Sequence, residues 1–300
     1  MNLEALVACL TSASCAVTQI STALIVGTLL FLVAAGLSLI FGVLGVINFA
    51  HGGFYMLGAY FAFTAYKLSG SFIVALVAGS LGAGLFGVLF ERLIISRVYG
   101  RDLLMQLLVC YALTLILDDG VKLIYGAEYR MMGMPAAFAV APVQIAGAFV
   151  PGYYLFMVAI ALATGLLLWL GINRTLLGKT IRALAINPQM VGVLGVNTAA
   201  LYAGVFGVGS LLAGMAGALA APIRTLTPGI GFSFLIESFI VTVIGGMGSI
   251  AGAFIAALLI GFIRAFGAIG FPWFVEGLMF AIMALVLVIK PTGLLGREAA

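Results

Sequence analysis

The sequence predicts an all-α, polytopic membrane protein, and three observations carry that prediction. Of the 300 residues, 65% are hydrophobic and 7% are charged, whereas a soluble chain carries charge on about a quarter of its residues. The apolar residues fall into runs near the length of about 20 residues that a bilayer-spanning helix needs. The 40 glycines fit the same class, because small residues let membrane helices pack closely. We therefore predict a single transmembrane domain over residues 1–300 and no independent soluble domain.

Nine apolar runs predict about eight to nine transmembrane helices. The runs cover residues 20–41, 49–66, 71–90, 103–125, 152–172, 199–221, 233–246, 252–270 and 273–289. The first 19 residues lack a basic start and a long apolar core, so they do not resemble a cleaved signal peptide. The first span is therefore expected to serve as the insertion signal.

Basic residues in short connections predict the orientation of the spans. Three connections are predicted to be cytoplasmic: the 91–101 loop, the 173–198 loop and the C-terminal tail. Their basic residues are Arg92, Arg97, Arg101, Arg174, Lys179, Arg182, Lys290 and Arg297. Even numbers of predicted spans separate the three connections, so all of them lie on one face. Nine spans then place the N-terminus outside and the C-terminus inside. The net charge of +4 is too small and dispersed to indicate a nucleic-acid partner.

The cysteines and the one histidine do not predict a metal site. Three cysteines, Cys9, Cys15 and Cys110, are an odd number spread over the chain, and no cluster with metal-ligand spacing results. Cys9 and Cys15 are able to pair if the N-terminal segment faces outside. We nevertheless expect both to be free thiols.

Two glycine patterns resemble nucleotide-binding motifs, but their context argues against that function. The G-x-G-x-x-G of residues 82–87 sits in the middle of a predicted span, with no strand before it. Gly178-Lys179-Thr180 resembles the end of a P-loop, but Asn173 occupies the position of the required first glycine. Both motifs need a strand that leads into a glycine-rich turn. We therefore expect this chain to bind no cofactor and no ATP of its own.

Two polar, glycine-rich interruptions predict broken helices near residues 42–53 and 245–252. The first, GVLGVINFAHGG, contains Asn48 and the only histidine, His51, and the second reads GGMGSIAG. Broken helices in corresponding halves of a chain are typical of transporters, in which unwound backbone lines a cavity. We therefore predict a solute pathway along both breaks. The alternative is a pair of simple turns, with Asn48 and His51 capping helix ends.

Charged residues inside apolar runs are costly and are therefore functional candidates. Asp118 and Asp119 precede Lys122 by four and three residues, a spacing that favours a local ion pair. Glu237 and Arg264 lie in neighbouring runs, so they either pair with each other or leave Glu237 to hold a substrate ammonium group. The candidate pathway residues are Asn48, His51, Gly52, Glu237, Gly245, Gly246 and Ser249.

The 174–198 loop predicts a short amphipathic helix between Gly178 and Pro188. Ile181, Leu184 and Ala185 share one face of that helix, and its basic residues lie elsewhere around it. Such a helix either rests on the membrane surface as a linker or docks into a groove on a soluble partner. The residues alone leave both alternatives open.

Several sequence blocks together resemble a known family. They are GLSLIFGVLGVINFAHGGFYMLGAY at 36–60, LLGKTIRALAINPQMVGVLGVN at 176–197, VIGGMGSIAGA at 243–253 and KPTGLLG at 290–296. In these blocks the chain is similar to the integral-membrane permease subunits of ABC importers of the branched-chain amino-acid (leucine/isoleucine/valine) type. The blocks run from the first span to the C-terminus, so the resemblance covers nearly the whole chain.

The resemblance implies a transport subunit without catalytic residues in the lipid bilayer of the inner membrane. It also implies four further subunits: a second homologous permease, two cytoplasmic ATPases that bind ATP, and an extracytoplasmic solute-binding protein. The 174–198 loop would then be the coupling helix, which favours docking over the linker. The candidate coupling residues are Gly178, Lys179, Arg182, Ala183, Asn187 and Gly195.

Three positions depart from the pattern of that family. Gly53 replaces a frequently acidic residue, Ile186 replaces Glu or Gln, and Glu237 stands where relatives often carry a neutral or basic residue. The expected function is therefore half of an importer's pathway, for an amino acid or a similar small polar solute, working by alternating access. The alternatives are an ion-coupled secondary transporter, which would work alone, and a channel.

Overall fold

The computed structural model describes residues 3–139 and 141–296. Arg297, predicted to lie in the cytoplasmic tail, falls outside the described residues. The helices are α1 (Leu3–Thr11), α2 (Ala13–Leu44), α3 (His51–Ser69), α4 (Phe72–Leu93), α5 (Leu103–Tyr125), α6 (Gly152–Arg174), α7 (Leu176–Ile186), α8 (Pro188–Val193), α9 (Thr198–Ala220), α10 (Ile230–Gly245), α11 (Ile250–Gly270) and α12 (Val275–Ile289). Strands β1 (Val143–Ile145) and β2 (Ala148–Val150) form an antiparallel hairpin between α5 and α6.

The all-α, polytopic fold class is confirmed. Each of the nine predicted runs is occupied by one helix, while α1, α7 and α8 are additional short helices. Within the described residues, five helices are long and apolar enough to cross a membrane, namely α2, α4, α6, α9 and α11. α10 and α12 are shorter apolar helices, and α5 contains three charged side chains near its C-terminal end. The G-x-G-x-x-G segment of residues 82–87 lies within helix α4, which differs from the strand–turn–helix context of a nucleotide-binding motif.

The core of the molecule is built around α2. Every residue of α2 from Gly27 to Ile40 is buried, and α9, α10 and α11 pack around it. Glycines allow these close approaches: a Cβ on Gly36 would lie 2.5 Å from the carbonyl oxygen of Gly209 on α9. By contrast, α6 leaves most of its apolar surface exposed. That distribution is expected where lipid, rather than water, surrounds the outer helices.

α3 begins beside the middle of α2 and not beside its C-terminal end. The Nε2 atom of His51, the first residue of α3, lies 3.0 Å from the carbonyl oxygen of Val33. Val33 precedes the end of α2 at Leu44 by 11 residues, or about 16 Å at 1.5 Å per residue. Residues 45–50 therefore turn back into the protein, and α3 starts beside the middle of α2.

α10 also begins inside the molecule, next to the start of α3. Gly229, immediately before α10, adjoins the carboxylate of Asp118 on α5. Asp118 precedes the end of α5 by seven residues, or about 10 Å of helix. Gly231 in the first turn of α10 packs directly on Gly52 in the first turn of α3. The N-terminal ends of two helices thus meet in the interior.

The expectation of free thiols at Cys9 and Cys15 is wrong. The two residues form a disulfide that joins α1 to the first turn of α2. The short break at Ser12 brings their Cα atoms to 5.1 Å, within the range that a disulfide requires. Cys110 is free and buried. The sequence spacing alone did not show that the chain would fold back between the two helices.

Candidate functional site

The first break, residues 45–50, runs from the exposed Gly45 into the interior of the protein, where Asn48 holds it. The Oδ1 atom of Asn48 accepts a hydrogen bond of 3.0 Å from the backbone N–H of Ala50, and the Asn48 carbonyl accepts one from His51. Asn48 itself has no exposed surface. A buried backbone turn must satisfy its polar groups internally. The Asn48 side chain therefore closes the turn that leads into α3, but it does not cap the helix as the turn alternative predicted, because the N-cap residue is Ala50 and receives no side-chain capping bond.

His51 fixes the new direction of the chain. A carbonyl only accepts, so Nε2 of His51 donates to Val33 and Nδ1 becomes the acceptor. Nδ1 has no hydrogen-bond partner among the described residues. The ring fills the space beside Gly36, between α2 and α9. The structure thus places His51 in helix packing, and its predicted pathway role stays a prediction.

Beside the first break lies a cavity of about 140 Å³. Its walls come from four places: the middle of α2, the break, the N-terminal half of α10, and α12. The lining residues are Leu37, Ile47, Asn48, Phe49, Phe232, Leu235, Ile236, Phe239, Ile240, Phe280 and Met283. Asn48 is the polar residue among them, and its Nδ2 atom has no hydrogen-bond partner among the described residues. Of the candidate pathway residues, Asn48 alone lines this cavity.

The second break, residues 246–249, is a tight turn between the antiparallel helices α10 and α11. Met247 and Gly248 are exposed, and the Oγ atom of Ser249 caps α11 by accepting from the Gly252 N–H at 3.1 Å. Gly245 packs directly against Gly252. The break is confirmed, and its geometry is that of the simple-turn alternative. A pathway role for Gly245, Gly246 and Ser249 stays a prediction.

The segment after α12 closes this turn, a contact that the sequence reasoning missed. The backbone N–H of Leu294 donates to Ile244 at 2.7 Å, and that of Leu295 donates to Gly245 at 3.0 Å. Gly293 and Gly246 touch backbone to backbone, both with positive φ. These bonds satisfy carbonyls at the C-terminal end of α10. The sequence blocks at 243–253 and 290–296 are therefore two halves of one contact.

Glu237 forms an ion pair with Arg264 of α11, as the pairing alternative proposed. The second carboxylate oxygen, Oε2, is buried and has no hydrogen-bond partner among the described residues. The neighbours of Glu237 on α10, Ile236 and Phe239, line the cavity, but Glu237 does not. Near the C-terminal end of α5, Lys122 pairs with Asp119 at 2.9 Å.

The 174–198 loop contains two helices, α7 and α8, and is joined rigidly to α6. Thr175 caps α7 by accepting the N–H of Gly178 at 3.0 Å. A Cβ on Gly178 would overlap the carbonyl oxygen of Ile172, so glycine is required there. Arg182 donates to the same carbonyl and to the side chain of Asn173. Arg182 and Gly178 thus hold α7 against α6, and a residue with this role acts through position.

The rest of the loop presents apolar side chains to the outside. Ile186 and Val193 are each 83% exposed, and Leu176, Leu177, Met190 and Leu194 are exposed as well. Asn187 caps α8 by accepting the N–H of Met190 at 2.9 Å, and Gly195 ends the turn with φ of 82°. Lys179 and Ala183 lie exposed on α7. A cluster of exposed apolar residues outside the helix bundle indicates a partner surface.

The walls of the cavity were not predicted from the sequence. Phe232, Ile236 and Phe239 recur every three to four residues along α10, a spacing that marks one helical face. In a uniformly apolar helix that face is indistinguishable from a lipid-facing one. The missing information was that α10 starts beside the first break.

Comparison with protein families gives one match over most of the chain. The family model described as "Branched-chain amino acid transport system / permease component" matches residues 19–287. The matched region includes both breaks, the cavity and the 174–198 loop. No solved structure matches the chain.

Curated relatives include two that match over nearly the whole chain and one that matches over a shorter stretch. The high-affinity branched-chain amino acid transport system permease protein BraD of Pseudomonas aeruginosa is 32% identical over 93% of this chain and 95% of its own length. The corresponding permease protein LivH of Escherichia coli is 29% identical, with the same two coverages. The fructose import permease protein FrcC of Rhizobium meliloti is 33% identical over 32% of this chain and 28% of its own length.

Proposed function

The chain belongs to the family of permease components of branched-chain amino acid transport systems, and on this basis we propose its solute, its partners and its mode of coupling. The family makes it a permease subunit of an ABC importer and a multi-pass protein of the inner membrane. Such a subunit is not an enzyme. We propose that it transports branched-chain amino acids or similar small solutes by alternating access.

The observation that carries the coupling proposal is the exposed apolar surface of α7 and α8. Apolar side chains as exposed as Ile186 and Val193 are stabilised by burial against a partner. The side of the membrane predicted from the basic residues is cytoplasmic. The partner is therefore a cytoplasmic ATPase subunit, which receives the two helices in a groove.

The contacts of α7 with α6 and α2 explain how a movement of the ATPase subunits would be transmitted to the transmembrane helices. Gly178 and Arg182 tie α7 to the end of α6, and α7 also touches α2. α2 in turn contacts His51 at the start of α3, directly after the first break. A shift of α7 is therefore transmitted to α2 and to the segment beside the cavity, with no flexible linker between them.

The proposed assembly contains this permease, a second homologous permease, two cytoplasmic ATPases and an extracytoplasmic solute-binding protein. ATP is bound and hydrolysed by the ATPases, and this chain needs no cofactor of its own. Gly178, Lys179 and Thr180 lie within helix α7, which differs from the loop of a phosphate-binding motif.

The decisive experiment is purification of the chain in mild detergent from its native membrane, followed by ATP-dependent leucine uptake in vesicles made from the complex. We expect ATPase subunits and a second permease to co-purify. Ile186→Asp should release the ATPases, because it places a charge in the apolar contact. Leu68→Asp is the matched control, since Leu68 is also 83% exposed but lies at the opposite end of the bundle. Uptake by the isolated chain without ATP would contradict the proposal.

A further inference from the structure

An ion pair lies on the surface of two helices that contain no other charged residue. Glu237 of α10 pairs with Arg264 of α11, and their side chains remain 13% and 33% exposed. Ser233, one turn before Glu237 on the same face of α10, is exposed as well. We call these three residues the polar face. Both charged side chains are accessible from outside this chain, although the helices around them are apolar.

The polar face lies near the middle of the membrane-spanning part of the molecule. Glu237 precedes the end of α10 at Gly245 by eight residues, or about 12 Å of helix. Arg264 follows the start of α11 at Ile250 by 14 residues, or about 21 Å. The two helices meet at the second break, so both lengths are measured from the same end of the bundle. In a hydrocarbon layer about 30 Å thick, the pair is therefore close to the centre.

The exposed faces of other helices show which residues this chain presents to lipid. Every exposed residue of α6 from Leu155 to Leu170 is apolar, and so is every exposed residue of α4 from Ile73 to Leu89. Charged side chains inside membrane spans are costly toward lipid, and they face water-filled cavities or other protein instead. The polar face therefore turns toward water or another subunit and not toward lipid.

A second guanidinium group lies one helical turn from the ion pair. The Cζ atom of Arg224, in the connection before α10, is 4.7 Å from the ring centroid of Phe234, and Phe234 precedes Glu237 by three residues. Within the described part of the chain, Arg224 forms no ion pair with a carboxylate. Tyr55 stacks on Phe234, and the charges of Arg224, Glu237 and Arg264 all act on its hydroxyl group. Two guanidinium groups and one carboxylate therefore surround one region, with an excess of positive charge.

This arrangement of charges is complementary to a zwitterion. Guanidinium groups bind carboxylates through paired hydrogen bonds, and a carboxylate accepts hydrogen bonds from an ammonium group. We propose that the polar face lines the water-filled pathway between the two permeases and binds the head group of an amino acid there. The solute carboxylate lies at Arg224 and Arg264, and its ammonium group lies at Glu237. The proposal rests on the proposed transport function and adds to it a wall of the pathway and a class of solute, the zwitterionic amino acids.

The first test measures whether water reaches the polar face. Vesicles that contain the complete importer with Ser233→Cys are treated with a charged, water-soluble methanethiosulfonate reagent. We expect the new thiol to react, and leucine at ten times its KM should slow the reaction about tenfold by occupying the site. Wild type gives the background, since Cys110 is buried and the other two cysteines form a disulfide.

Two matched controls carry a cysteine on exposed apolar surface. Leu166→Cys lies on α6, and Ile255→Cys lies on α11, where both natural side chains are exposed. Ile255 precedes Arg264 by nine residues, which places it on the opposite side of the helix. Neither control should react, because a charged reagent does not enter lipid. Reaction of Ser233→Cys no faster than that of these two controls would overturn the pathway wall.

The second test asks whether the charges contact the solute or only join two helices. Glu237→Gln combined with Arg264→Gln leaves no unpaired charge in the membrane, so the complex should assemble. We expect the KM for leucine to rise about tenfold or more, because the head group loses charge-assisted hydrogen bonds. Glu237→Gln alone leaves Arg264 unpaired and should also lower the amount of assembled complex. A pair that only holds α10 against α11 would leave the KM of the assembled double variant at the wild-type value.

Arg224→Gln tests the same head group outside the ion pair, and it serves even where the double variant does not assemble. We expect its KM for leucine to rise as well. Lys67→Gln is the control, because it removes an exposed positive charge at the end of α3; it should leave the KM unchanged. An unchanged KM in Arg224→Gln and in the assembled double variant would overturn the head-group assignment. A wild-type importer that takes up no amino acid would instead overturn the proposed function itself.

Discussion

The two breaks share a glycine-rich composition but differ in their surroundings. Residues 45–50 return the chain to the middle of α2, and Asn48 there is completely buried. Residues 246–249 connect two antiparallel helices, and Met247 there is 48% exposed. Glycine permits both turns. The flanking polar group distinguishes them: a buried amide with a spare donor at the first, and a partly exposed serine cap at the second.

The difference shows how the surroundings of a break determine what happens to its unpaired backbone and side-chain polar groups. A surface turn satisfies its remaining polar groups with water, so its geometry is fixed locally by Ser249 and by the contact with Leu294. A buried turn has no water to bond, and every polar group left over marks a place for a ligand or a packing partner. The two breaks therefore differ in what they position: the first brings the start of α3 into the interior beside α2, and the second holds α10 and α11 together.

The largest effect is expected from Gly52→Ala, which acts on the contact between α3 and α10. An added Cβ would overlap the backbone of Gly231, and backbone cannot move aside as a side chain does. We expect a loss of about 3 kcal/mol of stability and no transport. Gly53→Ala is the control, because its Cβ would meet only the flexible end of Leu117 at 2.7 Å. Thermal unfolding of the purified complex measures both. Equal, small losses would show that the two helix starts are not tightly joined.

The next largest loss of stability compares the two side chains that hold the breaks, Asn48 at the first and Ser249 at the second. Asn48→Ala leaves the buried N–H of Ala50 without an acceptor and should cost about 2 kcal/mol. Ser249→Ala removes a half-exposed N-cap and should cost about 1 kcal/mol. We expect transport to fall in the first variant and to persist in the second. Loss of uptake in Ser249→Ala at nearly unchanged unfolding temperature would make the second break part of the pathway and would remove the contrast.

A smaller effect tests whether the C-terminal segment holds the second break. Gly293 has φ of 78°, and a Cβ there would lie 2.5 Å from the backbone nitrogen of Gly246. Gly70 has φ of 66° but open space around it, so Gly70→Ala reports backbone strain alone. Gly293→Ala should lower stability by about 1 kcal/mol more than Gly70→Ala, as measured by thermal unfolding. Equal losses would mean that the segment after α12 does not support the turn.

The helices were largely predictable from the sequence because lipid imposes a strong and simple pattern. Each of the nine runs became one helix, and both interruptions became breaks, since apolar length and glycine content act locally. The short helix in the 174–198 loop also followed, although the division of that loop into α7 and α8 at Asn187 did not. Its proline at position 188 gave a signal for that boundary.

The depth of each break was not predictable, because it depends on contacts between distant residues. The return of α3 to Val33 requires Gly36 to leave space for the His51 ring, and it requires Gly209 to let α9 approach α2. The cavity requires α10 to begin beside that break. A single sequence shows the apolar residues of α10 but not which of its faces meets Asn48.

The smallest effect on transport is expected from removal of the Cys9–Cys15 disulfide. The presence of the bond nonetheless reports which side of the membrane each break faces. Disulfides persist in the extracytoplasmic compartment and not in the cytoplasm, so a formed bond places the start of α2 outside. The end of α2 and the second break then face the cytoplasm, as the basic residues predict.

Cys9→Ser together with Cys15→Ser should leave leucine uptake nearly unchanged, because α1 packs on α2 and α11 far from the cavity. In wild-type cells, an impermeant maleimide should label these cysteines only after reduction. Labelling without reductant would show free thiols outside, whereas no labelling after reduction would place the N-terminus inside and reverse the side that each break faces.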